Sequence, residues 1–474
     1  MFGWRGSPVK YVDRLTEDGF EPAHAEPYTG PAGAKLQLIL RARKDLLSIW
    51  REDDFREKVD SISMFGRKII LVNAPEFIRE VVVKRHENYQ RKSPQMRRAL
   101  EYLLGDGLFI SDGETWKNRR ALVSDIVHMN RVADFGPIMQ HTTMELVQRW
   151  QDLPAGNPVN VLHEMAGLTA EIIARSVFGN QLGRDSAEAV TRSFTQYQSL
   201  VDSINLAYFI GFDDGLPVLR TPSLRRAVKK IHHIVDKVVE DHLSGRGSHQ
   251  SMVDLLIRRQ QRNPELKLDV IALRNEAATI FMAGHETTAA TLTWAWYLLS
   301  RAESIETALH QEIDNVCGTR TPTIDDVPQL ELCRAVIEET LRLYPPVPVL
   351  ARQNIAADRL GDVDVPPQSL ILMVPWLLHR TPSLFKDPHL FRPDRFMNGK
   401  KPTPYSYIPF ASGPRVCPGL HFGLTEAVLC LAIIAQKFRV RVPGDHVVVP
   451  GARLTLRPRG GLPATLEQRS AIRQ

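Results

Sequence analysis

The spacing of apolar positions divides this 474-residue chain into a long helical stretch and a proline-broken one. From about 115 to 300 the spacing is mostly helical, with breaks near Gly156, Gly179, residues 211–222 and residues 244–248. Inside it, Asp269 is placed to cap a helix reaching Arg301, about 50 Å long at 1.5 Å per residue. Val336, Ile337, Leu341 and Leu343 form the apolar stripe of another helix, stopped by Pro345 and Pro346. The unbroken apolar run 427–435 lies on a helix expected from about 420 to 435. Short strands are expected at 66–72, 363–365 and 371–374, with Pro75 starting a helix after the first. Prolines between 345 and 393 mark a non-helical meander, and residues 1–30, polar and rich in Pro and Gly, read as an extended lead-in. The expected fold is mainly α with small β-sheets, in one domain spanning 1–474.

Composition narrows the function classes. Hydrophobic residues make up 43% of the chain, enough for a large core. No uninterrupted apolar tract reaches the roughly 18 residues of a membrane span, and the N-terminus shows no apolar core followed by a cleavage site. No transmembrane anchor or signal peptide is therefore expected. The net charge of +6 raises the question of nucleic acid, but the basic residues are dispersed, and no nucleic-acid partner is expected. Cys317, Cys333, Cys417 and Cys430 show neither CxxC pairing nor zinc spacing, which fits a reducing, cytoplasmic setting.

Cys417 differs from the other three in its surroundings. It sits in Phe410-Ala-Ser-Gly413-Pro-Arg415-Val-Cys417-Pro-Gly419, a turn that Gly and Pro hold still. Gly413 and Gly419 lack a Cβ, so main chain or a large flat partner can approach. Pro418 suits the first position of the next helix, whose free N–H groups stabilise a negative sulfur. A buried, inert thiol is the plainer reading of any single cysteine.

The long helix carries a polar flaw, Ala283-Gly284-His285-Glu286-Thr287-Thr288, between Ile280-Phe-Met and Leu292. Gly284 costs about 1 kcal/mol against Ala in a helix interior. Either Thr287 back-bonds to the Ala283 carbonyl at a kink, or the cluster has a function. Position 289 is Ala, so His285-Glu286 is not a zinc motif. Glu339 and Arg342 share a helix face at i, i+3, which alone reads as a surface ion pair. Trp116 and Arg120 share one at i, i+4.

Together these segments resemble the cytochrome P450 superfamily in order and approximate spacing, from about residue 65 to about 465. The resemblance implies a P450 fold with haem b on the Cys417 thiolate. It implies that Phe410, Gly413, Arg415 and Gly419 shape the haem loop, and that Trp116, Arg120, Arg352 and Arg415 contact the haem propionates. His421 is a weaker candidate, equally a plain loop residue. Thr287 and Glu286 take the oxygen-activation and proton-delivery positions. Glu339, Arg342 and the Arg395 of Phe391-Arg-Pro-Asp394-Arg395-Phe396 form the fold-locking network, with Asp394 where Glu is frequent.

The implied reaction inserts one oxygen atom of O2 into a hydrophobic small molecule, such as a fatty acid, terpenoid or steroid. Electrons are expected from a ferredoxin- or flavodoxin-type donor with its NAD(P)H reductase, since no reductase is seen within the chain. Lys117 and Arg119 suggest an acidic carrier. The substrate pocket is expected from Leu104, Phe109, Tyr208, Phe209, Ala283, Val347, Val349 and Leu350, with a lid near 197–212. Two rivals stand beside this reading: a haem-thiolate isomerase or peroxygenase needing no electron donor, and a non-enzymatic haem-binding or sensing module.

Overall fold

The Asp269 side chain accepts the Ala272 amide at 2.7 Å, and the chain turns there into an uninterrupted helix over Val270–Arg301. In the computed structural model the described residues are 10–469 apart from 31–37, 39–40, 43–44, 65–66, 155, 180–191, 194–196, 198–220, 246–249, 267–268 and 453–454. The main helices are α1 (Pro94–Leu104), α2 (Gly113–Ile126), α3 (Met129–Gln151), α4 (Val161–Phe178), α5 (Pro222–Leu243), α6 (Met252–Arg262), α7 (Val270–Arg301), α8 (Glu303–Cys317), α9 (Glu331–Leu343) and α10 (Leu420–Lys437).

Helix α7 is the axle of the molecule. It is apolar on nearly all sides, so it is buried on nearly all sides, packed by α4, α5, α9 and α10. Gly284 has a packing reason. A Cβ there would lie 2.8 Å from Cδ1 of Ile173 on α4, so the glycine lets the two helices cross closely. The Thr287 hydroxyl donates to the Ala283 carbonyl at 2.8 Å, as the back-bonding reading expects.

Helix α10 is apolar and long enough to cross a bilayer, but 67% of that stretch is buried inside the protein. It packs on α3 and α9 and serves as a core helix.

The sheets are small. Strands β3 (Val59–Met64), β4 (Arg67–Val72), β9 (Leu370–Met373) and β6 (Leu350–Gln353) form one sheet in that order. The β4–β9 pair is parallel and the other two pairs are antiparallel. The strands expected at 66–72, 363–365 and 371–374 are therefore present, within a residue or so. Strands β11 (Pro450–Ala452) and β12 (Leu456–Pro458) form a hairpin that touches α7.

Part of the expected lead-in is structured instead. Strands β1 (Tyr11–Thr16) and β2 (Gly19–Ala25) pair as a hairpin, with Phe20 and Ala23 buried. The Ala23 amide donates to Tyr297 Oη at 2.9 Å, Tyr344 Oη donates to the Ala23 carbonyl at 2.7 Å, and the Phe391 amide donates to the Phe20 carbonyl at 2.9 Å. These bonds dock the hairpin on α7, α9 and the meander.

Candidate active site

The cysteine loop is fixed by its own main chain. The Cys417 amide donates to the Phe410 carbonyl at 2.8 Å, and the Val416 amide to the Gly413 carbonyl at 3.0 Å. Gly413 has φ +70°, and a Cβ there would stand 2.1 Å from the Val82 carbonyl oxygen, so no other residue fits without moving backbone. Gly419 caps α10 with φ −83°, and a Cβ there would only touch the Cys417 sulfur at 3.9 Å. Pro418 precedes that cap, two residues before the first helical position expected for it.

Burial pushes the Cys417 thiol up, while the Gly419 amide and the Arg120 charge pull it down. The other three cysteines are buried, and Cys430 Sγ packs 3.2 Å from Thr143 Oγ1 in the core. Cys417 alone among them keeps exposed surface.

Beside the loop lies a group of cations. Arg415 stacks over Trp116 at 4.4 Å and donates to the Ser111 carbonyl and the Asp112 carboxylate, both at 3.0 Å. Arg120 donates to the Val416 carbonyl. Arg352 is 6% exposed, and Lys92 Nζ stands 4.8 Å from the Phe109 ring centre. Burial holds Lys92 well below the usual lysine range, and the Arg352 and Arg415 charges push it further down. Asp112 is the carboxylate paired with Arg415, and its field reaches Lys92. Arg352, Tyr89, Trp116 and Arg415 line one cleft, and Lys92 lies close enough to feel the Arg352 and Arg415 charges. Guanidinium and ammonium groups suit carboxylates, so these residues fit a haem with its propionates. Sequence reading missed Lys92, whose only local signal is its place next to Ser93, the N-cap of α1.

On α7, Ala283 is exposed and Thr287 half-buried, although the helix around them is buried. They stand one turn apart on a face that protein does not cover. Glu286 points elsewhere: its Oε1 accepts from Thr455 Oγ1 at 2.7 Å and from Arg457 at 3.2 Å. The adjacent acid and threonine thus occupy different faces. His285 is buried, stacked on Phe281 at 5.9 Å and pushed down to about 4 by burial.

The structure brings Glu339, Arg342 and Arg395 together. Arg342 and Glu339, both fully buried, pair through two contacts of 2.7 Å. Arg342 also donates to the His379, Pro388 and Leu390 carbonyls, and Arg395 Nε lies 3.4 Å from Glu339. The Arg392 amide donates to Glu339 at 2.9 Å. Asp394 stays outside, paired with Arg392 and Lys400. His379, also missed from sequence, joins the lock to the segment before the cysteine loop.

The remaining expectations divide. Val347 and Leu350 are half-buried and Val349 is buried; Leu104 is fully buried in the core, so packing accounts for it. Phe109 faces Lys92. His421 is exposed on the first turn of α10. Tyr208 and Phe209, and all of the suggested lid except Tyr197, lie outside the described residues. Arg119 is not a docking residue: it is buried, 3.4 Å from Glu276. Lys117 is exposed and paired with Glu114.

Comparison with known proteins agrees with this geometry. Residues 48–461 match the family model described as Cytochrome P450. The chain is 31% identical over 451 residues to "Cyclooctatin synthase" of Streptomyces melanosporofaciens, covering 93% of this chain and 94% of that protein. It is 29% identical to "Cyclooctat-9-en-7-ol 5-monooxygenase" of the same organism, over 72% of this chain and 74% of that one. "Echinocystic acid 23-monooxygenase" of Saponaria officinalis is 27% identical, over 84% and 80%. The crystal structure of the cytochrome P450DA heme domain superposes with a TM-score of 0.81 at 23% identity, covering 94% of this chain and 97% of that one.

Proposed function

The chain belongs to the cytochrome P450 family, oxidoreductases that bind haem b through an axial cysteine thiolate, and on that premise we propose that Cys417 is the ligand in a monooxygenase of hydrophobic, terpenoid-like molecules. The observation that carries the reading is the Cys417 loop beside the cation group of Lys92, Arg352 and Arg415. When bound, haem supplies the activation of O2 and the transfer of one oxygen atom.

The chain supplies the setting. The Gly419 amide and Arg120 favour a negative sulfur on Cys417. Arg415, Arg352 and Lys92 would hold the propionate carboxylates by charge when haem is bound. Thr287, whose hydroxyl proton is given to the Ala283 carbonyl, keeps its oxygen lone pairs for a donor on the uncovered face. Glu286, held by Thr455 and the partly exposed Arg457, stands between that helix and the surface as a proton source. Val347, Val349 and Leu350 offer apolar contact and keep water out.

The names of two relatives refer to cyclooctat-9-en-7-ol and echinocystic acid, which supports a terpenoid class for this chain. Family members need redox partners, and the net charge of +6 favours an acidic ferredoxin or flavodoxin with its NAD(P)H reductase.

The test is incubation with such a donor pair, NAD(P)H and 18O2 across a panel of cyclic terpenoids. One 18O atom in the product, with NAD(P)H consumed in proportion, is expected. Conversion without any electron donor would instead favour the isomerase or peroxygenase reading.

A further inference from the structure

Glu21 and His24 on β2 face His389 of the meander, and their ligand atoms lie within 4.8 Å of one another. His24 Nδ1 lies 3.0 Å from the Pro22 carbonyl, which can only accept, so Nδ1 carries the proton and Nε2 presents a lone pair. That lone pair faces Glu21 Oε1 at 3.7 Å. Arg14 binds the other oxygen, Oε2, at 2.8 Å, leaving Oε1 turned inward. His389 stacks on His24 at 4.4 Å, and its Nδ1 is buried with no hydrogen-bond partner.

Two acceptor atoms facing each other repel unless something positive sits between them. A proton on His24 is one answer, and a metal cation bound through the lone pairs is another.

We propose that Glu21, His24 and His389 form a binding site for a divalent transition cation of the zinc class, which staples the N-terminal hairpin to the meander. Two imidazole nitrogens and one carboxylate oxygen are a donor set suited to zinc, with water completing a tetrahedron. Zn–N and Zn–O bonds near 2.0–2.2 Å place ligand atoms roughly 3.3 Å apart, so modest side-chain rotation closes the site. The hydrogen bond from His24 Nδ1 to a carbonyl is the outer support that orients a ligating histidine.

The location gives the staple a role. His389 lies between Pro388 and Leu390, whose carbonyls both bind Arg342, and two residues before Phe391, whose amide binds Phe20 of the hairpin. A cation here joins the hairpin to the segment that holds the Glu339–Arg342 lock.

The haem-loaded protein, washed with chelator and titrated calorimetrically with zinc chloride, should bind one equivalent and melt at a higher temperature. His24→Ala, His389→Ala and the near-isosteric Glu21→Gln should each weaken binding at least about tenfold, since loss of an outer support alone costs 10–100-fold. The melting shift should vanish with the binding. No zinc uptake overturns the proposal. So does unchanged binding in any of these variants that folds, the mark of an adventitious ion only.

Discussion

The Ile408 amide donates to Nε2 of His379 at 2.9 Å, tying the segment that enters the cysteine loop to the Glu339–Arg342 lock. Because Nε2 accepts, the ring proton sits on Nδ1 and is given to the Arg342 carbonyl at 3.2 Å. Burial, joined by the Arg342 charge, pushes His379 down to about 3, so the ring is neutral and both bonds persist at neutral pH.

Replacing this ring should loosen the loop from below. His379→Ala strands a buried N–H and a buried C=O, at about 1–3 kcal/mol for each unsatisfied group. Denaturant unfolding should show that loss, with faster haem release. An unchanged midpoint would mean the ring is not the tie.

Lys92 should show opposite effects with and without haem. A buried cation beside Arg352 and Arg415 destabilises the haem-free chain, so Lys92→Met should raise its melting temperature. The same change removes a propionate partner and should weaken haem retention. A variant that melts lower without haem and holds haem equally well contradicts this account.

Glu426 should make stability fall as pH rises. It is fully buried on α10, Oε2 accepts from Thr288 at 3.3 Å, and Oε1 has no partner. Burial pushes its carboxyl up to about 8. Between about pH 4.5 and 8 the folded chain holds a proton that the unfolded chain has lost, so this group's contribution declines with rising pH. The slope approaches about 1.4 kcal/mol per pH unit. Glu426→Gln removes the titration, and its stability relative to the parent should improve from pH 5 to pH 8. Parallel pH profiles for the two proteins would exclude the effect.

Thr287→Ala should leave substrate affinity nearly unchanged and divert electrons to peroxide. Positioned proton transfer contributes about 10²–10⁴-fold, so product per NAD(P)H should drop sharply. Thr455→Val, which removes one bond to Glu286, should do so more mildly. Tight coupling in Thr287→Ala would remove the proton role.

Much of this was legible because strong local signals agreed with the fold. Asp269 and the apolar run behind it marked both ends of α7, since cap and burial act within one element. The Cys417 loop and the Glu339–Arg342 pair stood out through their resemblance to a family pattern; taken alone, they read as an inert thiol and a surface ion pair. What escaped depends on contacts far apart in sequence. The β1–β2 hairpin looks like a polar lead-in, because its buried residues, Phe20, Pro22, Ala23 and His24, form no periodic apolar pattern and lie on partners near 297, 344 and 391. His379 and Lys92 carry no motif, and their roles come from what the tertiary fold places beside them. Glu286 was expected to work alongside Thr287, yet neighbours in a helix point about 100° apart, and β12 supplies the acid's partners.

The central claim rests on Cys417, and the reduced carbonyl spectrum tests it most directly. The parent protein and Cys430→Ala should both give the red-shifted Soret band of a thiolate-bound haem, while Cys417→Ala should lose it. Persistence of that band in Cys417→Ala, or its loss in Cys430→Ala with Cys417 intact, would contradict the assignment.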